Sequence, residues 1–288
     1  MNNLNLGYIA GLLDSDGSIQ MCNAGRKEKR INRSISISQN NNLTVLIDIK
    51  NTLGVGKIYQ PPSSVSQKKY SWTVIKKEEI LKVCDLLIPY CIIKRSQLEI
   101  MKEACSLKFG SWHNPEYNIT KEKNNILIQR LKQEHNNNET IDFSITPEYS
   151  WLAGMVDGDG CLTFSVSSQN NRFVFFRNIS LVIMNLKLAQ KIANFTHGTI
   201  RKDSYYNKDT PLISVNIKTR RYVSDLLEKI IPFLQIKKEK ALIMLTSLNT
   251  RPSEEHDFGW NHVKLYKYSD KDIEYLLSLY NKFKNIKI

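Results

Sequence analysis

The sequence predicts an α+β protein with two pseudosymmetric αββαββα domains, each built around an antiparallel sheet. Three observations predict this class. A stretch of apolar residues closed by Asp-small-Asp-Gly occurs twice, at Ile9–Gly17 and at Leu152–Gly160. Landmarks downstream of each copy recur at nearly the same spacing. Polar and apolar residues alternate after both copies, as they do in strands with one covered face.

The spacing between the two copies defines the domains. Asp159 lies 143 residues after Asp16, and the same interval separates two helix-ending prolines and two lysines: Pro89 and Pro232, Lys94 and Lys237. An interval this long indicates duplication of a whole domain, as in a fused dimer, and not a solenoid. We therefore expect a first domain at 1–108, a linker with a helix at 109–145 and a second domain at 146–288.

The elements of the first domain are predicted from local pattern. Alternation marks strands, apolar residues three and four apart mark helices, and Pro or Gly ends them. The expected order is a helix at 5–16, strands at 18–23 and 33–39, a helix at 43–53 ended by Gly54, a hairpin of 56–60 with 68–74 around Pro61-Pro62, and helices at 78–88 and 94–108.

The second domain is predicted to repeat this order. Thr146-Pro147-Glu148 has the cap, proline and acid of a helix start. The expected elements after this helix are strands at 161–167 and 178–184, a helix at 186–196, strands at 198–201 and 213–218, a helix at 222–231, a helix to residue 249, an irregular segment at 251–259 and a last helix at 270–284. The linker helix is expected at 120–134.

Small residues within the repeated stretch predict close helix packing. Gly11 and Ser15 lie four residues apart, as do Gly154 and Gly158, so each pair shares one helix face. Glycine inside a helix costs about 0.5–1 kcal/mol relative to alanine. Close contact between the two repeated helices would offset that cost.

Packing of these helices would bring Asp16 and Asp159 together at the helix C-termini, which Gly17 and Gly160 are expected to end in a left-handed conformation. Two carboxylates at the negative ends of helix dipoles repel each other. A divalent cation relieves the repulsion. Oxygen ligands favour Mg²⁺, with Mn²⁺ or Ca²⁺ as other occupants of the same site.

Two other interpretations of Asp-x-Asp-Gly fit the sequence less well. An EF-hand needs a glycine at the sixth position and a glutamate at the twelfth, and neither copy has both in register. A nucleotide-sugar site needs the motif once, whereas here it occurs twice. The first acids, Asp14 and Asp157, precede the last helical residue and are expected to cap or to pack locally.

Composition favours a polyanionic partner. The chain has 41 Lys and Arg against 28 Asp and Glu, a formal net charge of +13, which is typical of proteins that bind nucleic acid or anionic membranes. No apolar stretch is long enough to cross a membrane, and the N-terminus lacks the basic start of a secretory signal. Five cysteines without a CxxC pair predict free thiols in a reducing compartment.

The two stretches, YIAGLLDSDGS and WLAGMVDGDGC, resemble the repeated motif of the LAGLIDADG homing endonucleases, in the single-chain form with two motifs. The resemblance extends over nearly the whole chain. It implies a monomeric, intron-encoded enzyme that binds a long, pseudo-palindromic site in double-stranded DNA. It further implies metal-dependent hydrolysis of one phosphodiester in each strand, which leaves short 3′ overhangs. Abundant Asn, Lys and Ile, as A+T-rich codons produce, suggest a mitochondrial or chloroplast genome.

Several residues of the repeat acquire roles through this resemblance. Metal contacts come from two carboxylates and two neighbouring backbone carbonyls: Asp16, Asp159, Ser15 and Gly158. Two lysines in register are expected to be electrostatic partners of a phosphate or a hydroxide: Lys94 and Lys237. Two polar residues at strand ends would help to order the attacking water, although an ordinary polar strand end explains them equally well: Gln39 and Asn185.

The two sheets are expected to form a basic saddle over about two turns of duplex, roughly 20 bp, with side chains of one face in the major groove. Polar residues on an exposed sheet face are also the default without DNA. The candidates for contact with DNA are Ser18, Gln20, Arg26, Arg30, Ser34, Ser36, Lys57, Tyr59, Lys69, Ser71, Thr73, Thr163, Ser165, Asn178, Ser180, Arg201, Ser214 and Asn216.

Two alternative functions stay open at this point. An RNA maturase of the same ancestry would bind host intron RNA and assist splicing. A non-cutting regulator would bind DNA only, and the loss of an acid from either motif would favour it, but both acids are present. Trp112-His113-Asn114 resembles a fragment of an HNH nuclease motif, and no other part of that motif accompanies it.

Overall fold

The protein, described here from a computed structural model, has the predicted α+β architecture. The structure describes residues 4–24, 30–60, 69–108, 115–136, 146–169, 172–203, 212–250, 254–258 and 263–287. In chain order the elements are α1 (Leu6–Asp16), β1 (Gly17–Ala24), β2 (Arg30–Asn40), α2 (Leu43–Leu53), β3 (Lys57–Tyr59), β4 (Lys69–Val74), α3 (Lys77–Leu87), α4 (Arg95–Ser106), α5 (Pro115–Asn136), α6 (Tyr149–Gly158), β5 (Gly160–Gln169), β6 (Arg172–Ile183), α7 (Leu186–Thr196), β7 (Thr199–Asp203), β8 (Leu212–Ile217), α8 (Arg220–Ile230), α9 (Lys238–Asn249), β9 (Glu254–Phe258), β10 (Val263–Lys267) and α10 (Asp270–Asn285).

The first four-stranded sheet is antiparallel, with the strand order β1-β2-β4-β3. Its inner face is a continuous apolar row, because Ile19 pairs with Ile35, and Ile37 pairs with Trp72, and all four are fully buried. The alternating polar residues lie on the opposite face. The Trp72 ring nitrogen donates to the Val55 carbonyl at 3.0 Å, so the indole is buried without an unpaired donor.

The second four-stranded sheet has the equivalent order, β5-β6-β8-β7. The inner row of β6 carries Ile179, Leu181 and Ile183, all buried. In both repeats one helix connects the second and third strands in chain order, and another follows the fourth strand. These helices are α2 and α3 in the first repeat and α7 and α8 in the second. The repeated order confirms a pseudosymmetric α+β fold.

The chain divides into two compact units, Met1–Gly158 and Asp159–Ile288. Both repeated helices, α1 and α6, fall in the first unit, and Asp159 is the first residue of the second. The predicted domain limits stay a prediction. Among the described helices, none combines the length and the apolar character that crossing a bilayer requires.

Several predicted bounds change in the structure. Strand β6 begins at Arg172 instead of Asn178, because the run from Phe173 to Phe176 pairs along β5 although it does not alternate in polarity. Helix α5 begins at Pro115, and α6 begins at Tyr149, after the Thr146-Pro147-Glu148 start signal. The segment expected to be irregular, 251–259, contains strand β9, which pairs with β10.

Two predicted left-handed glycines adopt other conformations. Gly17 has φ −81° and ψ 157°, which is extended, and β1 begins there at once. Among the described glycines only Gly54 and Gly56 have positive φ, so Gly160 also differs from the prediction. Glycine is needed at position 17 for space, because a Cβ atom there would overlap the carbonyl oxygen of Leu13. The left-handed Gly54 that ends α2 is confirmed.

Helices α1 and α6 pack against each other at their glycines, as predicted. A Cβ atom on Gly11 would overlap the backbone carbonyl of Trp151, and one on Gly154 would overlap the backbone carbonyl of Tyr8. At the C-terminal end, Gly158 leaves room for the Ser15 side chain. Backbone-to-backbone contact of this kind explains why the sequence tolerates glycine inside both helices.

Each sheet is joined to a helix by an arginine that the sequence analysis missed, the half-buried Arg33 in the first sheet and the buried Arg177 in the second. Arg33 on β2 donates to the carbonyl of Ala104 at 3.2 Å. Arg177, at the matching position on β6, donates to the carbonyl of Ser247 at 2.9 Å and lies over the Phe164 ring at 5.0 Å. Burial lowers the pKa of both guanidinium groups, although arginine stays charged.

We expect Gly11→Ala to lower the free energy of unfolding by about 1–3 kcal/mol, because the added methyl group meets backbone that cannot rotate away. A solvent-exposed helical Gly→Ala change would instead stabilise by about 0.5–1 kcal/mol. Urea unfolding followed by circular dichroism measures the difference.

A matched control is available at Gly7, where the added Cβ would overlap the Ser150 hydroxyl, a side-chain atom. Gly7→Ala should therefore be rescued by Ser150→Ala. No neighbouring side-chain truncation should rescue Gly11→Ala, and an equally stable Gly11→Ala protein would contradict the backbone contact.

Candidate active site at the end of the first repeated helix

Helix α1 carries the two acids of the first motif in different environments. Asn5 caps its start, because the Asn5 side-chain oxygen accepts from the Gly7 N–H at 2.8 Å. The helix is buried from Gly7 to Asp14, and β1 follows Asp16 without a turn. Asp16 therefore lies half-buried at a helix–strand junction, whereas Asp14 lies inside.

Asp14 anchors three segments of the first unit. Its side chain is 4% exposed, and its carboxylate accepts from the backbone N–H groups of Ile92 (2.8 Å), Ile93 (3.1 Å) and Lys94 (2.8 Å). The Trp151 ring nitrogen donates to the same carboxylate at 2.8 Å. The carboxylate thus binds the turn that leads into α4, next to the end of the helix where anions are favoured. Asp14 therefore has the structural role of a capping residue, because its carboxylate joins α1 to the turn before α4 and to Trp151 on α6.

The first acid of the second motif, Asp157, accepts a hydrogen bond equivalent to the one between Trp151 and Asp14. The Tyr8 hydroxyl donates to Asp157 at 2.9 Å, and both residues are buried. Burial, and then the negative charge of Asp157, raise the pKa of Tyr8 well above its ordinary value, so the hydroxyl stays a donor. Tyr8 and Trp151 occupy the same position of the two motifs. Each aromatic donor therefore binds the first acid of the other helix.

Gln39 holds the second acid of the first motif. Its amide nitrogen donates to the Asp16 carboxylate at 2.6 Å. Gln39 is only 8% exposed, because it continues the inner row of β2 after Ile35 and Ile37. The alternation of that strand therefore aims a polar side chain at Asp16 from the inner face. This contact orients the carboxylate without the backbone anchors that Asp14 has.

Lys94 lies at the C-terminal end of α1. Its ammonium group donates to the carbonyls of Leu13 (2.8 Å), Asp14 (2.7 Å) and Ser15 (3.3 Å), and it neutralises the negative end of the helix. In the second unit, the ammonium group of Lys237 donates to the carbonyl of Gly160 at 2.8 Å. Both lysines thus bind backbone next to a motif acid, and their catalytic role stays a prediction.

The register does not support the predicted correspondence of Gln39 with Asn185. Gly17 pairs with Ile37 and Gly160 pairs with Leu181, so the residue matching Gln39 is the buried Ile183. Asn185 instead caps α7, and its side-chain oxygen accepts from the Leu188 N–H at 2.9 Å. Its proposed contact with water stays a prediction, and the two repeats differ at this point.

The groups available to a metal are oxygens. Asp16 is half-buried and Asp159 is exposed. The Ser15 hydroxyl donates to the helix carbonyls of Gly11 and Leu12, and the backbone oxygen of Ser15, which accepts from Lys94 at 3.3 Å, is next to Asp16 in the chain. Carboxylate and carbonyl oxygens suit a hard divalent cation such as Mg²⁺. Within the described part of the chain, no three His, Cys, Asp or Glu side chains cluster as metal ligands.

The candidates for DNA contact in the first repeat lie on the outer face of their sheet. Ser18 pairs with Ser36, Ser36 with Thr73, and Thr73 with Lys57, which makes one polar row across four strands. The neighbouring rows hold Gln20, Ser34, Tyr59, Ser71 and Lys69. Arg26 lies outside the described residues, and only the backbone of Arg30 is described.

The second sheet has an equivalent outer face with more internal bonding. Asn178 donates to Asn216 at 3.4 Å, and Asn216 donates to the Ser214 hydroxyl at 3.0 Å. Ser214 is buried beneath this network. Arg201 is exposed on the edge strand, and three further candidates are half-exposed: Thr163, Ser165 and Ser180. Asn178, Ser214 and Asn216 are thus less available for base contact, because they bond to one another.

A family model matches the chain twice. Residues 9–105 and residues 152–248 each match the model described as LAGLIDADG endonuclease. The chain belongs to the LAGLIDADG endonuclease family. Each match begins within a repeated motif and extends through the sheet and helices that follow it, so this member carries both copies in one chain.

Individual relatives agree with this assignment. DNA endonuclease I-CvuI of Chlorella vulgaris is 26% identical over 114 residues, which are 37% of this chain and 66% of that relative. The chain thus matches slightly less than two thirds of the relative's length. Meganuclease I-SmaMI bound to uncleaveable DNA has a similar fold, with a TM-score of 0.72 at 17% identity, over 98% of this chain and 99% of that chain. The LAGLIDADG homing endonuclease I-GzeII in complex with its DNA target gives 0.70 at 17% identity, over 99% and 98%.

The two acids of the first motif should respond differently to the same substitution. Asp14→Asn should lower the free energy of unfolding by about 2–4 kcal/mol, because a buried carboxylate with four donors is replaced by an amide that can satisfy fewer of them. Asp16→Asn should change it by less than about 1 kcal/mol, because Asp16 is half-exposed with a single side-chain partner. Urea unfolding of both variants tests this pair. Equal losses of stability would contradict the division into an anchoring and an available acid.

Proposed function

We propose that this protein is a site-specific double-strand DNA endonuclease that hydrolyses one phosphodiester in each strand with a divalent cation. The observation that carries the proposal is the contrast within the motif. Asp14 is buried and fully engaged with backbone and Trp151, whereas Asp16 is half-buried with one amide partner. A carboxylate held in place but left accessible is what a metal-dependent hydrolase requires.

We assign the metal-binding role to the second acid of each copy of the motif, Asp16 and Asp159, and to the neighbouring backbone oxygens of Ser15 and Gly158. When bound, Mg²⁺ polarises the phosphate and stabilises the leaving oxygen. Gln39 orients the Asp16 carboxylate through its 2.6 Å hydrogen bond. Lys94 adds positive charge at the end of α1, where a phosphate would otherwise meet the negative end of a helix.

Binding of double-stranded DNA is proposed for the outer faces of the two sheets. Support comes from the net charge of +13 and from the polar rows that run across each sheet. A β-sheet face can read base edges in the major groove. Structures of similar fold have been described with bound DNA, among them I-AabMI, at a TM-score of 0.70 and 15% identity over 99% of this chain and 100% of that chain. An organellar gene and binding of intron RNA stay predictions.

Cleavage selection on a library of randomised duplexes in Mg²⁺ tests the endonuclease function and yields the target site. On that site we expect Asp16→Asn and Asp159→Asn to abolish cutting while DNA affinity stays within about tenfold, because each removes a metal ligand and not a base contact. Gel assays of cutting and filter binding measure the two quantities separately.

Matched controls change exposed acids on helices in the same way. Asp85→Asn and Asp225→Asn carry the same loss of charge on α3 and α8 and should cut normally. If the motif variants lose binding together with cutting, the motif acids are structural. If the wild type binds intron RNA and cuts no duplex, the maturase alternative is favoured.

DNA affinity should also fall steeply with salt. A surface that neutralises several phosphates releases their counterions, so affinity should drop by roughly a thousandfold or more between 50 and 200 mM salt. Titrations on the selected duplex measure the slope of log Kd against log salt. A flat profile would argue against phosphate contacts.

A further inference from the structure

The outer face of β6 carries exposed apolar side chains among its polar ones. Alternation places Phe176, Asn178, Ser180 and Val182 on this face, with Met184 directly after the strand. Phe176 is 53% exposed, Val182 45% and Met184 53%. The inner row of the same strand is already filled by buried residues, so the fold does not need these three side chains for its core.

The outer face of the matching strand in the first repeat, β2, is polar throughout. Because Ile37 matches Leu181, the outer residues of β2 match those of β6 one by one, in the order Asn32, Ser34, Ser36, Ser38 and Asn40. Three of the five positions thus change from Asn or Ser to Phe, Val and Met. Single exposed apolar residues are ordinary, but here they share one strand face whose counterpart has none.

Positive charge accompanies this apolar row. Val182 pairs with Ser214, and Ser214 pairs with Arg201, so an exposed arginine lies on the same row two strands away, about 10 Å. The exposed Lys187, at the start of α7, lies three residues after Met184. A surface with both apolar and cationic side chains complements the major groove, where phosphates flank the bases.

The major groove offers one apolar group to such a surface. The C5-methyl group of thymine is the feature that apolar side chains contact there, whereas the other groups at the base edges are hydrogen-bond donors and acceptors. Asn and Ser, at the matching positions of β2, bind donors and acceptors instead. The two repeats therefore differ in the kind of base feature that they can recognise.

We propose that Phe176, Val182 and Met184 read thymine methyl groups in the half of the DNA target that the second repeat binds, while the first repeat reads its half by hydrogen bonds. This inference rests on the proposed endonuclease function and specifies its substrate. It assigns specificity to apolar residues of the sheet, in addition to the polar candidates. The target is then asymmetric in its chemistry as well as in its sequence.

The test replaces individual dT residues of the selected duplex by dU, which removes the methyl group and keeps every hydrogen-bonding group. In one half of the site we expect one to three positions at which dU raises Kd by about fourfold each, the effect of one buried methyl group. In the other half dU should change Kd by less than about twofold.

A variant connects the effect to the strand. Val182→Ser introduces the residue that the first repeat has at this position, Ser38, and should abolish discrimination between dT and dU at one position only. Leu242→Ser is the matched control, since Leu242 is also 45% exposed but lies on α9. It should keep full discrimination, and thermal melts establish that both variants are folded.

Three outcomes would overturn the proposal. In the first, the protein selects and cuts a duplex but its Kd does not change with dU at any position. That result would contradict methyl reading and leave the endonuclease function intact. Val182→Ser could keep the same discrimination as Leu242→Ser. Sedimentation could show self-association that Val182→Ser abolishes, which would make this face a contact between copies. If no duplex is selected at all, the endonuclease function fails, and the methyl reading fails with it.

Discussion

The close packing of α1 against α6 is the constraint on which the candidate site depends. At Gly11 and Gly154 the backbone of one helix lies where a Cβ atom of the other would be. Two reciprocal hydrogen bonds then join the helices, from Trp151 to Asp14 and from Tyr8 to Asp157. Apolar packing alone would allow the helices to slide, whereas buried carboxylates with directional donors permit one register. That register fixes the positions of Asp14 and Asp157.

The same packing explains why the two acids of the first motif have different roles. Asp14 points into the first unit and collects three backbone N–H groups at the start of α4. Asp16, two residues later, is the last residue of the helix, and among the described residues its carboxylate accepts one side-chain hydrogen bond, from the Gln39 amide. A residue held by backbone groups is well suited to stabilise a fold, and a residue held by one side chain can still accept a ligand. The proposed chemistry uses Asp16 as a metal ligand and depends on Asp14 to hold the surrounding fold in place.

The two repeats have the same internal framework but differ on the outer faces of their sheets. The sheet orders agree, and the arginines Arg33 and Arg177 make matching contacts to a helix. The position of Gln39 holds Ile183 in the second repeat, and the polar outer row of β2 becomes partly apolar on β6. Packing restricts inner positions because cores are dense, but outer positions are restricted only by what they bind. On the proposed function, these differences would let the two repeats recognise unlike DNA halves on one scaffold.

The sequence by itself determined the duplication, the α+β class, most elements and the small residues at the helix contact, because periodicity and spacing are local properties of the chain. It also placed Asp16 correctly at the end of a helix. Only the tertiary structure decided that Gly17 is extended, that Asp14 anchors α4 and α6, that β9 pairs with β10 and that Gln39 matches Ile183 and not Asn185. Each of these depends on a neighbour distant in the chain, on strand register or on space beside a backbone. Such contacts leave no local pattern from which they could be predicted.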